Sequence, residues 1–242
     1  MSLRIKLIQF LVDINEKLVF YPKLKKFYKS HLPKNNILLF DVGVNKGQTI
    51  DFFNKFISDI EIHGFEPNPT LYKRLQSKYS KTKNIILNNI GISDVDGKLI
   101  FYENIMDETS SLQKLNYDSE YLRKKAKILG VEPKDIIQKQ YFIDVLALSQ
   151  YIQENNIAQI DVLKIDTEGH ELNCLVGLFK KVNSCNIKFI QLEQHNDDMY
   201  IDGNKNDEII GLLKKHNYSE VKRIKHGFGD FHEIVFSKED IK

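Results

Sequence analysis

The sequence contains very little cysteine, which excludes a fold held together by disulfides. Its 242 residues include only Cys174 and Cys185, whose spacing matches neither a CxxC motif nor a disulfide framework. Cys174 lies in an apolar pattern with helical spacing, which favours a buried thiol. Because free thiols suit a reducing compartment, we expect a cytoplasmic protein.

Long apolar runs are also missing. The longest run near the N-terminus, residues 7–12, is interrupted by Gln9 and followed by Asp13 and Glu16. A membrane-spanning helix needs about 20 mostly apolar residues, and a signal peptide needs a longer apolar core followed by small residues. We therefore predict neither a transmembrane segment nor a signal peptide.

The chain has no surplus of one charge. Its 35 Lys and Arg residues stand against 33 Asp and Glu residues, which gives a formal net charge of +2. Proteins that bind nucleic acids usually carry a clear basic surplus, so we expect a small-molecule or glycan acceptor and no nucleic acid. One basic run, residues 23–34, could face an acidic glycan or a membrane, but a solvated helix is the simpler interpretation.

What the sequence does contain is an alternation of apolar strands and amphipathic helices. Residues 1–34 are predicted as a helical extension, interrupted at Pro22, and residues 35–242 as one domain. Strands are predicted at residues 37–40, 60–65, 85–92, 98–102, 160–165, 187–192, 218–224 and 231–236, and helices at 49–57, 69–79, 119–128, 145–155, 171–181 and 207–216.

This order of elements predicts a Rossmann-like α/β fold. The sheet is expected to be mostly parallel and seven-stranded, with an antiparallel C-terminal edge and helices on both faces. Asp144 is expected to cap the helix that follows it, and residues 226–229 to turn between the last two strands. The less regular segment 94–140, with a polar loop at 107–111, is predicted to be a substrate lid.

The first chemical signal is the loop after the first strand, where residues 41–48 read DVGVNKGQ. Glycines let a backbone approach a ligand closely, and such loops bind nucleotide-like ligands at the carboxyl edge of a sheet. We expect cofactor contacts from this loop at Asp41, Gly43, Asn45, Gly47 and Gln48.

The ligand of this loop is not expected to be a dinucleotide. The spacing is DxGxxxG and not GxGxxG, and the carboxylate of Asp41 would repel a pyrophosphate. S-adenosylmethionine carries a sulfonium and an ammonium group, so the same carboxylate would attract it. A NAD-dependent oxidoreductase is the alternative enzyme, and a turn capped by Asn45 or Thr49 with no ligand is the structural alternative.

A second acid follows at the end of the second predicted strand. Glu66 lies 25 residues after Asp41, and an acid at this place can accept both ribose hydroxyls of a nucleoside. Pro67, next to it, and Gly91, in the third predicted strand, are also expected to line the cofactor site.

The second chemical signal is residues 161–171, which read DVLKIDTEGHE. This segment resembles the LKIDxEGxE signature of the FkbM family of methyltransferases. The resemblance spans about residues 37–195 and includes the DVGVNKG loop, FEPN at 65–68, SSL at 110–112 and FID at 142–144.

The resemblance implies a class I methyltransferase fold, S-adenosylmethionine as the methyl donor and O-methylation of sugars, polyketides or glycan components. It assigns Asp41, Gly43 and Gly47 to the cofactor loop, Glu66 to the ribose and Asp166 to the neighbourhood of the methyl donor. His170 departs from the family, in which a small residue is common at this place.

Methyl transfer to a hydroxyl needs in-line placement of the acceptor and a group that removes or weakens its proton. Asp166 and Glu168 follow the fourth core strand, and Glu193 and His195 end the neighbouring one. Either His195 or Asp166 acts as a general base, or Asp166, Glu193 and His195 hold a Mg²⁺ or Mn²⁺ ion. Glu171, at a helix start, is expected to be structural.

Two further alternatives are less favoured. An amino-methyltransferase acting on nucleic acid would carry a [DNS]PP[YFW]-like turn after the fourth strand, where this chain has DTEG. A non-catalytic module that only binds S-adenosylmethionine would have no need of Asp166, Glu193 and His195.

Overall fold

The computed structural model describes residues 16–106, 109–181, 185–201, 205–226 and 231–238. The predictions for residues 1–15, for positions 107 and 108 of the polar loop, and for positions 227–229 of the last turn lie outside these ranges.

The strands are β1 (Ile37–Val42), β2 (Ile60–Phe65), β3 (Ile85–Asn88), β4 (Gly91–Ser93), β5 (Gly97–Asn104), β6 (Ile137–Ala147), β7 (Gln159–Ile165), β8 (Asn186–His195), β9 (Ser219–Lys225) and β10 (Phe231–Ser237). The helices are α1 (Tyr21–His31), α2 (Gln48–Asn54), α3 (Pro69–Lys78), α4 (Glu120–Leu129), α5 (Leu148–Glu154), α6 (Glu171–Phe179) and α7 (Asn206–Lys215), with a π-helical turn at Glu16–Phe20 and a 3₁₀ turn at Pro133–Asp135.

The described strands form a seven-stranded main sheet in the order β3-β2-β1-β7-β8-β10-β9. β1, β2, β3, β7 and β8 pair in parallel, whereas β10 runs antiparallel to both β8 and β9. The predicted fold class is therefore confirmed. The chain leaves β1 toward β2 on one side and returns beside β1 as β7, so the carboxyl ends of these strands border the crevice where open α/β sheets bind ligands.

Both faces of the sheet are covered, which explains the continuous apolar runs of its central strands. Leu39, Phe40, Val162 and Leu163 are fully buried in β1 and β7. One apolar cluster joins these strands to α5, α6 and α7, and the other joins them to α1 and α2.

The helix α1 belongs to this second cluster. Leu24, Phe27 and Tyr28 are buried against the sheet. Pro22 stands in the first turn of α1, where its missing N–H leaves no hydrogen bond unmade. The described part of the predicted N-terminal extension therefore packs on the sheet and reaches the site described below.

Two secondary-structure predictions were wrong. Asp144 does not cap a helix, because β6 continues through it to Ala147. Ile143, Val145 and Ala147 are buried while Asp144 is exposed opposite Lys98, which is the period of two of a half-buried strand. Residues 85–92 are not one strand either: β3 joins the main sheet, whereas β4 joins a three-stranded sheet in the order β4-β6-β5.

Candidate active site

The loop after β1 is shaped by residues with positive φ. Gly43 has a φ of +88°, and a Cβ there would lie 1.9 Å from the carbonyl oxygen of Asp166. Gly47 has a φ of +84°, and a Cβ there would lie 2.4 Å from the hydroxyl of Tyr79. The loop therefore packs directly against the end of β7 and against α3, and only glycine fits at these two places. Gln48 opens α2, and its side chain accepts a hydrogen bond from the N–H of Lys46.

Glu66 is buried at the end of β2. One carboxylate oxygen accepts the N–H of Asn45 at 2.7 Å, and the other accepts the N–H of Asn68 at 2.8 Å. These two bonds hold the carboxylate in place. Glu66 and Pro67 both border the cavity described below.

Asp41 is fully buried at the end of β1, opposite Lys164 of β7 in the sheet register. Burial raises the pKa of Asp41 from 3.8 to about 7, although the ammonium group of Lys164 and the hydroxyl of Thr49 oppose this change. Because Val42 and Gly43, and not Asp41, border the cavity described below, the charge of Asp41 would act on a cationic ligand from behind the loop.

Lys164 is a functional candidate that the sequence reasoning missed. Its ammonium group lies 2.8 Å from the carboxylate of Asp166, and its pKa is raised, against the effect of burial, by Asp166, Asp41 and Glu233. The signal was present in the sequence, because a lysine in the middle of a strand buried on both faces needs acidic partners. Lys164 fixes the carboxylate of Asp166 at the end of β7.

The segment after β7 is held by Glu171 and His170. One carboxylate oxygen of Glu171 accepts the N–H of Thr167 at 2.9 Å and that of Gly169 at 3.2 Å, which is the expected structural role. His170 is buried between Ser93 and Gln113, each 2.9 Å from one ring nitrogen. Burial lowers the pKa of His170 to about 4, so its imidazole is neutral near pH 7. Through Ser93 of β4 it links this segment to the small sheet.

The carboxylates expected at the strand ends do come together. Oxygen atoms of Asp166, Glu168 and Glu193 all lie within 4.8 Å of one another. Glu168 also accepts the hydroxyl proton of Tyr200 at 3.1 Å. His195 ends β8 two residues after Glu193, but its side chain is outside the described part of the structure, so its catalytic and metal-binding roles stay predictions.

A second group, which the sequence reasoning did not find, lies beside Glu193. Glu193 and Glu233 are opposite each other in the β8–β10 pair, and His226 completes a set of atoms within 4.8 Å. Tyr28 of α1 donates a hydrogen bond to Gln191, and Gln191 donates one to Glu233. His226 could not be placed here from the sequence, because distance along the chain does not show which side chains a hairpin turns inward.

These groups line one cavity of about 710 Å³. Its described lining includes six carboxylates, those of Glu66, Asp166, Glu168, Glu193, Asp197 and Glu233, and two lysines, Lys125 and Lys164. The cofactor loop, Phe20 of the π-helical turn and Tyr21 of α1 also belong to this lining. Gly91 borders the cavity from β4.

The residues present fit S-adenosylmethionine. The glycine loop lets the backbone approach a ligand, Glu66 offers oriented oxygens for a ribose, and the buried Asp41 lies close behind the loop. The acidic lining favours a ligand with positive charge and disfavours a diphosphate. Within the described ranges, helices long and apolar enough to cross a bilayer are absent.

Comparison with known proteins shows the family of the chain. Residues 41–220 match the methyltransferase FkbM domain. The chain is 25% identical over 200 residues to 31-O-demethyl-FK506 methyltransferase FkbM of Streptomyces tacrolimicus, covering 76% of this chain and 73% of that protein. The fold is similar to that of magnesium protoporphyrin IX methyltransferase from Synechocystis PCC 6803, solved with bound S-adenosylmethionine, with a TM-score of 0.50 at 9% identity over 90% of this chain and 78% of that one. The chain therefore belongs to the FkbM methyltransferase family, and it is an S-adenosylmethionine-dependent methyltransferase of the class I fold.

Proposed function

We propose that the methyl acceptor is a hydroxyl group of a sugar, a glycan component or a related small polar metabolite. The observation that carries this proposal is the convergence of Asp166, Glu168 and Glu193 beside the cofactor loop. A hydroxyl is a poor nucleophile until its proton is removed or weakened, and carboxylates at the strand ends can do this directly or by holding a metal ion. The name of the relative from Streptomyces tacrolimicus also specifies an oxygen as the methylated atom.

The cofactor contacts are proposed as they were predicted. Gly43, Asn45, Gly47 and Gln48 shape the loop over the methionine part, and Glu66 with Pro67 contacts the ribose. Asp41 compensates the positive charge of the ligand from behind the loop, and Asp166 stands nearest the methyl group. Gly91 borders the same space from the small sheet.

The cofactor supplies a methyl group on a positively charged sulfur, which leaves as a neutral thioether. The protein's own task is to hold the acceptor oxygen in line with that methyl group and to take its proton. Lys164 keeps the carboxylate of Asp166 fixed at 2.8 Å, and Glu168 is fixed by Tyr200. The proton acceptor is therefore drawn from Asp166, Glu168, Glu193 and His195, with a divalent ion as the alternative means of activation.

The test is a transfer assay with S-adenosylmethionine carrying a labelled methyl group. The acceptors are monosaccharides, oligosaccharides and a hydroxylated polyketide, together with amine, thiol and RNA acceptors, and NMR locates the methyl group in the product. We expect an O-methyl product from the hydroxylated acceptors. Glu193→Gln should lower its formation at least tenfold, whereas the exposed control Glu208→Gln should not. A methyl group on nitrogen, sulfur or RNA alone would contradict the proposal.

A further inference from the structure

We propose that Glu193, His226 and Glu233, which all line the cavity, form a binding site for one divalent cation. The catalytic role of this ion, activation of the acceptor hydroxyl, rests on the proposed function. The binding site itself does not, because it can be measured without any acceptor. It differs from the predicted set of Asp166, Glu193 and His195 by two of three ligands.

The distances between the three side chains suit an ion better than direct hydrogen bonds. The Nε2 atom of His226 lies 3.5 Å from an oxygen of Glu233 and 3.9 Å from an oxygen of Glu193. Both separations are at or beyond the limit of an N–H···O bond, which is about 2.7–3.2 Å long. With bonds of about 2.1 Å to a metal, neighbouring ligand atoms lie about 3 Å apart and opposite ones about 4.2 Å apart, which brackets the observed separations.

The ligands are held from outside the site. Tyr28 of α1 donates to Gln191, and Gln191 donates to one oxygen of Glu233, so that the other oxygen points toward His226. The ring of Phe20 stacks on the ring of His226 with centroids 4.4 Å apart. Such outer partners orient the ligands of metal sites. Here Gln191 and Tyr28 of α1 hold the carboxylate of Glu233, and Phe20 holds the imidazole of His226.

The charge around the site also favours a cation. Glu233 is 3% exposed and lies directly opposite Glu193 in the strand register, so two carboxylates face one imidazole in a largely buried place. The ammonium group of Lys164 is paired with Asp166. S-adenosylmethionine brings one net positive charge, whereas the described lining has six carboxylates and two lysines. A divalent ion reduces the remaining negative charge.

The donor set selects the kind of ion. Two carboxylates suit Mg²⁺ and Mn²⁺, but an imidazole ligand favours a transition metal over Mg²⁺. Mn²⁺ accepts both kinds of donor and tolerates the water and hydroxyl ligands that would complete the site. We therefore infer that Mn²⁺ binds more tightly than Mg²⁺.

An ion held by Glu193, His226 and Glu233 would lower the pKa of an acceptor hydroxyl beside it. The carboxylate of Asp166, which has an oxygen within 4.8 Å of one of Glu193, would take the O–H proton. The freed electron pair on that oxygen forms the bond to the methyl carbon, and the electrons of the broken carbon–sulfur bond remain on sulfur.

The binding test uses the full chain after treatment with EDTA and removal of the chelator. Mn²⁺ is titrated with detection by electron paramagnetic resonance, without acceptor. We expect one saturable Mn²⁺ per chain, with pulsed spectra showing coupling to an imidazole nitrogen that disappears in His226→Gln. Glu193→Gln should raise the Kd at least tenfold. The control His216→Gln, in which the lost ring stacks on Phe179, should bind Mn²⁺ like the wild type.

Three results would refute the proposed site. The wild-type protein could bind no saturable Mn²⁺, its spectrum could lack nitrogen coupling, or Glu193→Gln could bind Mn²⁺ with unchanged affinity. Loss of binding in Glu168→Gln with retention in His226→Gln would move the ion to Asp166, Glu168 and Glu193 and would also refute it. Because the nitrogen coupling is read from wild-type protein, a variant that fails to fold does not leave the question open.

Refutation of the ion site and refutation of the proposed acceptor give different results. Tight Mn²⁺ binding without any O-methyl product would refute the proposed acceptor and leave the ion site intact. Full O-methylation after chelation, with no Mn²⁺ bound, would refute the ion site and leave the acceptor intact.

Discussion

Removing the charge of Asp41 should stabilise the fold and weaken the cofactor site at the same time. The carboxylate is fully buried, and burial raises its pKa from 3.8 to about 7. The folded protein therefore resists ionisation of this group, whereas the unfolded chain ionises it freely. Asp41→Asn keeps the size of the side chain and abolishes this difference.

The direction of the pH dependence follows from the protonation of Asp41 in the folded and unfolded states. Between pH 4 and pH 7 the folded protein keeps the Asp41 proton while the unfolded chain loses it, so the wild type becomes less stable as the pH rises. Each pH unit in this window is worth about 1.4 kcal/mol, which gives a full effect of about 4 kcal/mol above pH 7. Between pH 5 and pH 8 the advantage of Asp41→Asn should grow by about 3 kcal/mol.

The assay is urea unfolding of both proteins at pH 5 and pH 8 without cofactor, followed by calorimetric titration with S-adenosylmethionine at pH 8. The exposed aspartate Asp144 supplies the matched surface control Asp144→Asn. The affinity of Asp41→Asn for S-adenosylmethionine should fall by about 1–3 kcal/mol. An advantage in stability that is equal at the two pH values, or an unchanged affinity, would refute the reasoning.

Three further predictions concern Glu66, Gly43 and His195. Glu66→Ala should weaken binding of S-adenosylmethionine by about 1–3 kcal/mol, because it leaves ribose hydroxyls unpaired, and calorimetry with unchanged affinity would count against this role. Gly43→Ala should cost more than about 3 kcal/mol in urea unfolding, since the new methyl group would meet the Asp166 carbonyl. The control Gly97→Ala, also at positive φ but with open space, should cost only about 1 kcal/mol of backbone strain, and equal losses would show that the contact is unimportant. His195→Ala should lower kcat, measured in steady-state assays, far more than it lowers the affinity for S-adenosylmethionine, measured by calorimetry. A large loss of affinity with little change in kcat would show that His195 has no catalytic role.

The fold class could be predicted because local patterns and chain chirality agree. The strands β1, β2 and β7 are mostly apolar, and each is followed by a helix, so parallel pairing with helices on both sides was the expected arrangement. The small sheet could not be predicted in the same way. Its strand β6 has three polar residues in a row, 138–140, and no regular alternation of apolar and polar residues. The turn that separates β3 from β4 is a single pair, Asn89 and Ile90, with no glycine or proline.

The site was predicted in part for a similar reason. Asp41, Glu66 and Asp166 each end a strand, and the ends of parallel strands meet at one edge, so their proximity follows from the topology. Glu233 and His226 come from the antiparallel hairpin at the other end of the chain. Tyr28 comes from a helix near the N-terminus, and no local pattern places it against Gln191.

The sequence by itself determined the strand–loop–helix units, the acid at the end of β1 and the motif after β7, because these depend on neighbours within about ten residues. The tertiary structure alone decided that α1 packs on the sheet beside the cavity, that Lys164 is shared among acids from three strands, and that Glu193 faces Glu233 and His226. These contacts join residues up to 163 positions apart, and their formation depends on the packing of the whole sheet.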